Sequence, residues 1–207
     1  MNWCTDFLYF SLAPGHNSNV GRVYVVYGSS SPSSTVLGGG LIFTGVAGDY
    51  FGRALATGDV NADGYDDILI GAPYYSSSTG KAYLIYGGLT LSSLTVSSMT
   101  LTDGIYMTGI NTQDYTGFSL TIGSDLNGDA IPDMLIGAMQ YTSFTGCVYA
   151  VYGGKSLSNM ALGSMTVSQG FQLVGSATNE YAGRNLAIGG DLNMDGKADL
   201  AIGGIFF

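Results

Sequence analysis

The chain has 207 residues, a formal charge of −9, only 10% charged residues, and 33 Gly and 15 Tyr. That acidic balance excludes a nucleic-acid binder, which needs basic patches. With 46% hydrophobic residues the composition also excludes disorder, and the Gly- and Tyr-rich, charge-poor mixture suits short strands joined by tight turns.

In chain order, the N-terminal FLYFSLA is apolar, but Asp6 and no basic residue precedes it, so it does not read as a secretory signal. No run of about 20 apolar residues follows anywhere, so no transmembrane helix is expected. GRVYVVYG from Gly21 reads as a strand, and Gly28 to Ser34 as a loop. GLIFTG from Gly40 is a second strand. From Gly52 onward a full unit of four short apolar segments appears: RALAT, DILIG, KAYLIYG and GIYMTG. Each has strand length and is bounded by Gly, Ser, Asp or Asn. The apolar runs are nearly continuous, which implies sheets covered on both faces.

The unit then repeats. Asp59, Asp125 and Asp191 lie 66 positions apart, and the segments GRALATGDVNADGYDDILIGAPYY, GFSLTIGSDLNGDAIPDMLIGAMQY and GRNLAIGGDLNMDGKADLAIGGIFF align around them. The expected fold is all-β: β-propeller blades of four antiparallel strands, about three repeats of a partial propeller. A β-solenoid is the competing architecture, but its rungs are usually shorter. The expected divisions are 1–45, the end of one blade; 46–109, a blade; 110–175, a blade; and 176–207, the start of a further blade.

Ten of the fifteen acidic residues sit in three loops, DVNADGYDD, DLNGDAIPD and DLNMDGKAD, nine of them at the recurring positions 1, 5 and 9. Counted from the first Asp, carboxylates or amides fall at positions 1, 3, 5 and 9. Calcium takes six to eight oxygens, and a tight turn with acids at alternate positions points them inward. The candidate ligands are Asp59, Asn61, Asp63, Tyr65 through its carbonyl, and Asp67 in the first loop. The second offers Asp125, Asn127, Asp129, the Ile131 carbonyl and Asp133, and the third Asp191, Asn193, Asp195, the Lys197 carbonyl and Asp199. Gly64 and Gly196 at position 6 permit a positive φ. Ala130 stands there in the second loop, and a non-Gly residue at positive φ costs on the order of 1 kcal/mol. Up to three Ca2+ sites are therefore expected, the second the weakest. The alternative is metal-free Asx-turns. Without metal, three crowded carboxylates would repel one another.

These residues resemble the FG-GAP repeat of integrin alpha chains. Phe51-Gly52 and Gly71-Ala72-Pro73 flank the first loop; Thr116-Gly117 with Gly137-Ala138-Met139, and Ala182-Gly183 with Gly203-Gly204-Ile205, flank the others. Ala13-Pro14 resembles the tail of an earlier copy. The resemblance implies a seven-bladed propeller with calcium in the hairpin loop between the first two strands of a blade, and partners bound on other loops. Three blades cannot close a ring, because propellers need about four to eight. The remaining blades are expected from a longer parent protein, or from a second copy of the chain. In the first case both ends expose open faces, with the apolar tail Ile205-Phe206-Phe207 in solvent.

No catalytic set is expected. His16 has no matching acid and nucleophile. Gly154-Lys155-Ser156 resembles the end of a phosphate loop, but Tyr149 stands where the first Gly is required. Cys4 and Cys147 read as free thiols, one of them buried in a strand, and the strand tyrosines as packing. The expected function is a non-enzymatic, calcium-stabilised recognition or cell-adhesion module, extracellular or at the cell surface, with a protein or glycan ligand. The alternatives are a lectin-like propeller and an accessory domain of a secreted hydrolase such as a phospholipase D-type enzyme.

Overall fold

The computed structural model describes residues 7–11, 18–28, 40–195 and 197–205. The N-terminal strands are β1 (Phe7–Ser11), β2 (Arg22–Val26) and β3 (Leu41–Thr44). The next unit comprises β4 (Leu55–Gly58), β5 (Asp67–Ala72), β6 (Lys81–Ile85), a two-residue β7 (Leu94–Thr95) and β8 (Gly104–Thr108). The following one comprises β9 (Thr116–Ile122), β10 (Met134–Ala138), β11 (Cys147–Val151), a two-residue β12 (Met160–Ala161) and β13 (Gly170–Val174). A final hairpin pairs β14 (Asn185–Ile188) with β15 (Leu200–Gly203).

Consecutive long strands pair antiparallel as meanders. β4-β5-β6-β8 form one sheet and β9-β10-β11-β13 the next, each in sequence order. This is the all-β, propeller-like architecture that the repeat predicts, with sheets of about four strands. The four apolar segments of the unit from Gly52 coincide with β4, β5, β6 and β8.

The continuous apolar runs bury both faces. Every residue of β5, β6, β10 and β11 is buried. Side chains alternate across each strand, and the alternate sets meet different neighbours. Ile68, Ile70 and Ile85 pack with Val23, Val25 and Phe43 of the preceding sheet. Leu69, Leu84, Ile105 and Met107 pack with Met134, Ile136 and Tyr149 of the following one. Leu135, Val148 and Ala150 then turn toward Leu186, Ile188 and Leu200 of the last hairpin. Each fully buried Leu or Ile contributes about 1.5–3 kcal/mol, so sheet stacking is the main source of stability.

Two devices join neighbouring sheets, and neither was legible in the hydrophobic pattern. β7 pairs parallel with β3, and β12 pairs parallel with β8, so each unit adds a short strand to the outer edge of the one before. Ser93 Oγ accepts the Ile42 N–H at 2.8 Å, and Asn159 Oδ1, 66 positions later, accepts the Tyr106 N–H at 2.9 Å. The second device is glycine contact. A Cβ on Gly71 would lie 2.0 Å from the Gly117 carbonyl oxygen, and one on Gly137 would lie 2.2 Å from that of Gly183. The glycine of each Gly-Ala pair therefore rests on the backbone glycine that opens the next unit.

Cys147 is a free thiol buried in β11, and burial pushes it up to about 12, well away from nucleophilic use. Tyr83 and Tyr149 are buried packing residues. Cys4, Ala13, Pro14, His16, Gly196, Phe206, Phe207 and nearly all of the 28–34 loop lie outside the described residues. Among the described residues no helix is long and apolar enough to cross a membrane.

Candidate functional site

The acidic loops occupy one position in three successive hairpins: Asp59–Asp67 between β4 and β5, Asp125–Asp133 between β9 and β10, and Asp191–Asp199 between β14 and β15. They fold alike. The position-5 N–H donates to the position-3 Asn oxygen at 2.9 Å in the first loop (Asp63 to Asn61) and at 3.0 Å in the other two (Asp129 to Asn127, Asp195 to Asn193). The position-7 N–H of Tyr65, Ile131 and Lys197 donates to the position-5 carboxylate at 2.9 Å in all three. The position-9 carboxylate ties each loop shut from below: Asp67, Asp133 and Asp199 accept the N–H of Val60, Leu126 and Leu192 at 3.1, 2.6 and 2.6 Å. Asp67 and Asp133 also reach the next connection, accepting the N–H of Gly87 and Gly153.

The first-position carboxylates hold the turn from inside. Asp59 accepts the N–H of Asp63 and Gly64, Asp125 that of Gly128 and Ala130, and Asp191 that of Asp195. The Ala130 N–H, with weaker help from Gly128, Asp129 and Asn127, holds Asp125 below the usual carboxylate range.

Burial separates the roles. Asp67 and Asp133 are fully buried, whereas Asp63, Asp129 and Asp195 are exposed. Desolvation pushes Asp67 up to about 6, against the two N–H donors that oppose the shift, and Asp63 and Asp59 add like-charge repulsion. Asp133 is raised for the same reasons. The first two loops thus each bury one carboxylate near two others, whereas Asp199 of the third is only half-buried.

The donors are all hard oxygens, and the chemistry of the set fits a divalent cation. The side chains themselves are turned onto backbone N–H groups. Among the described residues no three acidic, His or Cys side chains close around a common point.

The turn geometry differs from the sequence expectation in one respect. Position 6 has the expected positive φ, 92° at Gly64 and 68° at Ala130. Position 4 is left-handed too: Ala62 at 56°, Gly128 at 88° and Met194 at 61°. The first two loops therefore each place one Gly and one Ala in the two left-handed positions, in opposite order. Backbone strain does not set the second loop apart from the first, which removes the physical argument for its being the weakest site.

A second group, not marked by any motif in the sequence, lies at the far end of the same strands. Arg53, Phe118 and Arg184 occupy the position directly after the flanking Gly in each repeat, at the start of the first strand of three adjacent sheets. Arg53 Cζ lies 4.1 Å from the Phe118 ring centroid and Arg184 Cζ 5.7 Å from it. The available signal was the alternation Gly-Arg, Gly-Phe, Gly-Arg in the aligned segments.

Comparison with known proteins agrees with this architecture. Integrin alpha-PS2 of Drosophila melanogaster is 35% identical over 89 residues, covering 39% of this chain and 6% of that protein. The chain thus matches a small part of that relative's length. Residues 51–85, which run from Phe51-Gly52 through the first acidic loop and Gly71-Ala72-Pro73 to the end of β6, match the model of the FG-GAP repeat. The chain therefore carries an FG-GAP repeat at residues 51–85.

Proposed function

We propose that the chain is a calcium-stabilised, non-enzymatic recognition module of integrin-alpha-like type that works outside the cell or at its surface. The observation that carries this reading is the threefold recurrence of one acidic loop, with the same internal hydrogen bonds, in successive hairpins. Asx-turns alone would close a hairpin with one such residue. They give no reason to bury a carboxylate beside two more, as the first two copies do at Asp67 and Asp133. A divalent cation does, because it neutralises the charge that burial and crowding penalise. Positions 1, 3, 5 and 9 and the position-7 carbonyl would hold the ion. It supplies positive charge and a cross-link between the ends of each loop.

Location follows from affinity. Extracellular calcium modules bind at about 10⁻⁴–10⁻³ M. At about 1 mM calcium each site then adds up to roughly 1.4 kcal/mol, and at submicromolar calcium almost nothing. The likeness to an integrin alpha chain supports the same compartment and a role in binding another molecule rather than in catalysis.

The test is a thermal melt in millimolar calcium and in excess chelator, for the wild type and for the Asp191→Ala, Asp195→Ala double variant. The expected result is a calcium-dependent rise in Tm that is smaller in the variant. A cooperative melt with the same Tm in both buffers would overturn the assignment.

A further inference from the structure

The chain carries six basic residues against fifteen acidic ones, and two of the six border one cavity of about 370 Å3. The cavity lies where the first strands of three sheets begin, lined by Arg53, Phe118, Ser119, Arg184 and Asn185 among others, and among the described residues no carboxylate lines it. Both arginines are half-buried and share the Phe118 ring.

Their placement is built by backbone. The Arg53 N–H donates to the Tyr50 and Gly71 carbonyls, at 3.2 and 3.1 Å, and the Arg184 N–H to the Tyr181 and Gly203 carbonyls, at 3.2 and 3.1 Å. The Phe118 N–H donates to the equivalent Tyr115 carbonyl at 3.1 Å. The three side chains therefore leave from the same point of three successive units. Ser119 Oγ donates to the Gly183 carbonyl, which ties the middle strand to the one carrying Arg184.

Two guanidinium groups around one ring repel each other, and ring stacking neutralises neither charge. The acidic loops give no relief. They sit at the other end of β4, β9 and β14, six or seven residues away, roughly 20 Å along a strand and beyond a Debye length of about 8 Å. A bound anion would offset both charges. Guanidinium forks match the spacing of carboxylate, sulfate and phosphate oxygens, and Asn185 brings an amide donor to the same wall.

We propose that this cavity is an oxyanion-binding site in which Arg53 and Arg184 hold one carboxylate, sulfate or phosphate group beside Phe118. The ligand is either a free oxyanion or the acidic side chain of a partner. The site is independent of calcium, because none of its residues belongs to the acidic loops.

The test titrates the whole chain with sulfate, and separately with N-acetyl-aspartate, at constant ionic strength. Arginine Nε–Hε resonances and heat are followed together. The expected result is saturable movement of the Arg53 and Arg184 signals while Arg22 stays still, with affinity falling tenfold or more in Arg184→Gln. Tighter binding of sulfate assigns the site to a free oxyanion; tighter binding of N-acetyl-aspartate assigns it to a partner's carboxylate. Absence of saturation with both anions, or equal movement of all three arginines, would overturn the proposal. So would an Arg184→Gln variant that binds as the wild type does. If that variant does not fold, the wild-type resonances decide alone.

Discussion

At the scale of single residues, the FG-GAP signature is a packing motif before it is anything else. Gly71 is conformationally ordinary, but its missing side chain is what lets the Gly117 carbonyl come to within 2.0 Å of the place a Cβ would occupy. The atom in the way is backbone, so the sheets must move apart. Gly71→Ala should cost about 1–3 kcal/mol, as overpacking does, with Tm falling roughly 2–4 °C per kcal/mol in a chain of this size. A calorimetric melt checks this, and an unchanged Tm would show that the sheets separate at no cost. The motif glycines stood out in the sequence as spaced landmarks. That one touches the other across a sheet boundary did not, because the contact joins residues more than 40 positions apart.

At the scale of elements, the acidic hairpins show how two sequences reach one turn. Ala62 and Ala130 both adopt left-handed φ, each in a loop whose glycine serves the other left-handed position. Ala62→Gly and Ala130→Gly should each stabilise the metal-free chain by about 0.5–1 kcal/mol, as measured by urea midpoints. A gain at Ala130 alone would restore the view that the second loop is the strained one. The short strands β7 and β12 make a second case. Asn159 caps the edge of β8 through the Tyr106 N–H, and Asn159→Ala should cost about 1 kcal/mol without altering the calcium response. Two-residue strands have no periodicity to read, so the hydrophobic pattern reported the four long strands of a unit and missed the fifth that a neighbour contributes.

At the scale of the whole molecule, the acidic loops set how stability responds to pH. Burial raises Asp67 to about 6 from the ordinary 3.8, and raises Asp133 in the same direction. Between those values the folded state keeps a proton that the unfolded state has lost. Stability must therefore fall as pH rises through this window. In chelator the urea midpoint should be lower at pH 7 than at pH 5, and calcium should abolish most of the difference. A chelated midpoint that is flat across the window would mean that Asp67 and Asp133 are not penalised by their burial. The sequence by itself determined the repeat, the strand content, the all-β class and the composition of the loops. These properties are written in local periodicity and in residue type at fixed spacing. Only the tertiary structure decided which carboxylates are buried, which glycines touch, and that Arg53, Phe118 and Arg184 meet at one cavity. Those facts depend on stacking one sheet on the next, and stacking brings together residues a full repeat apart that no local pattern connects.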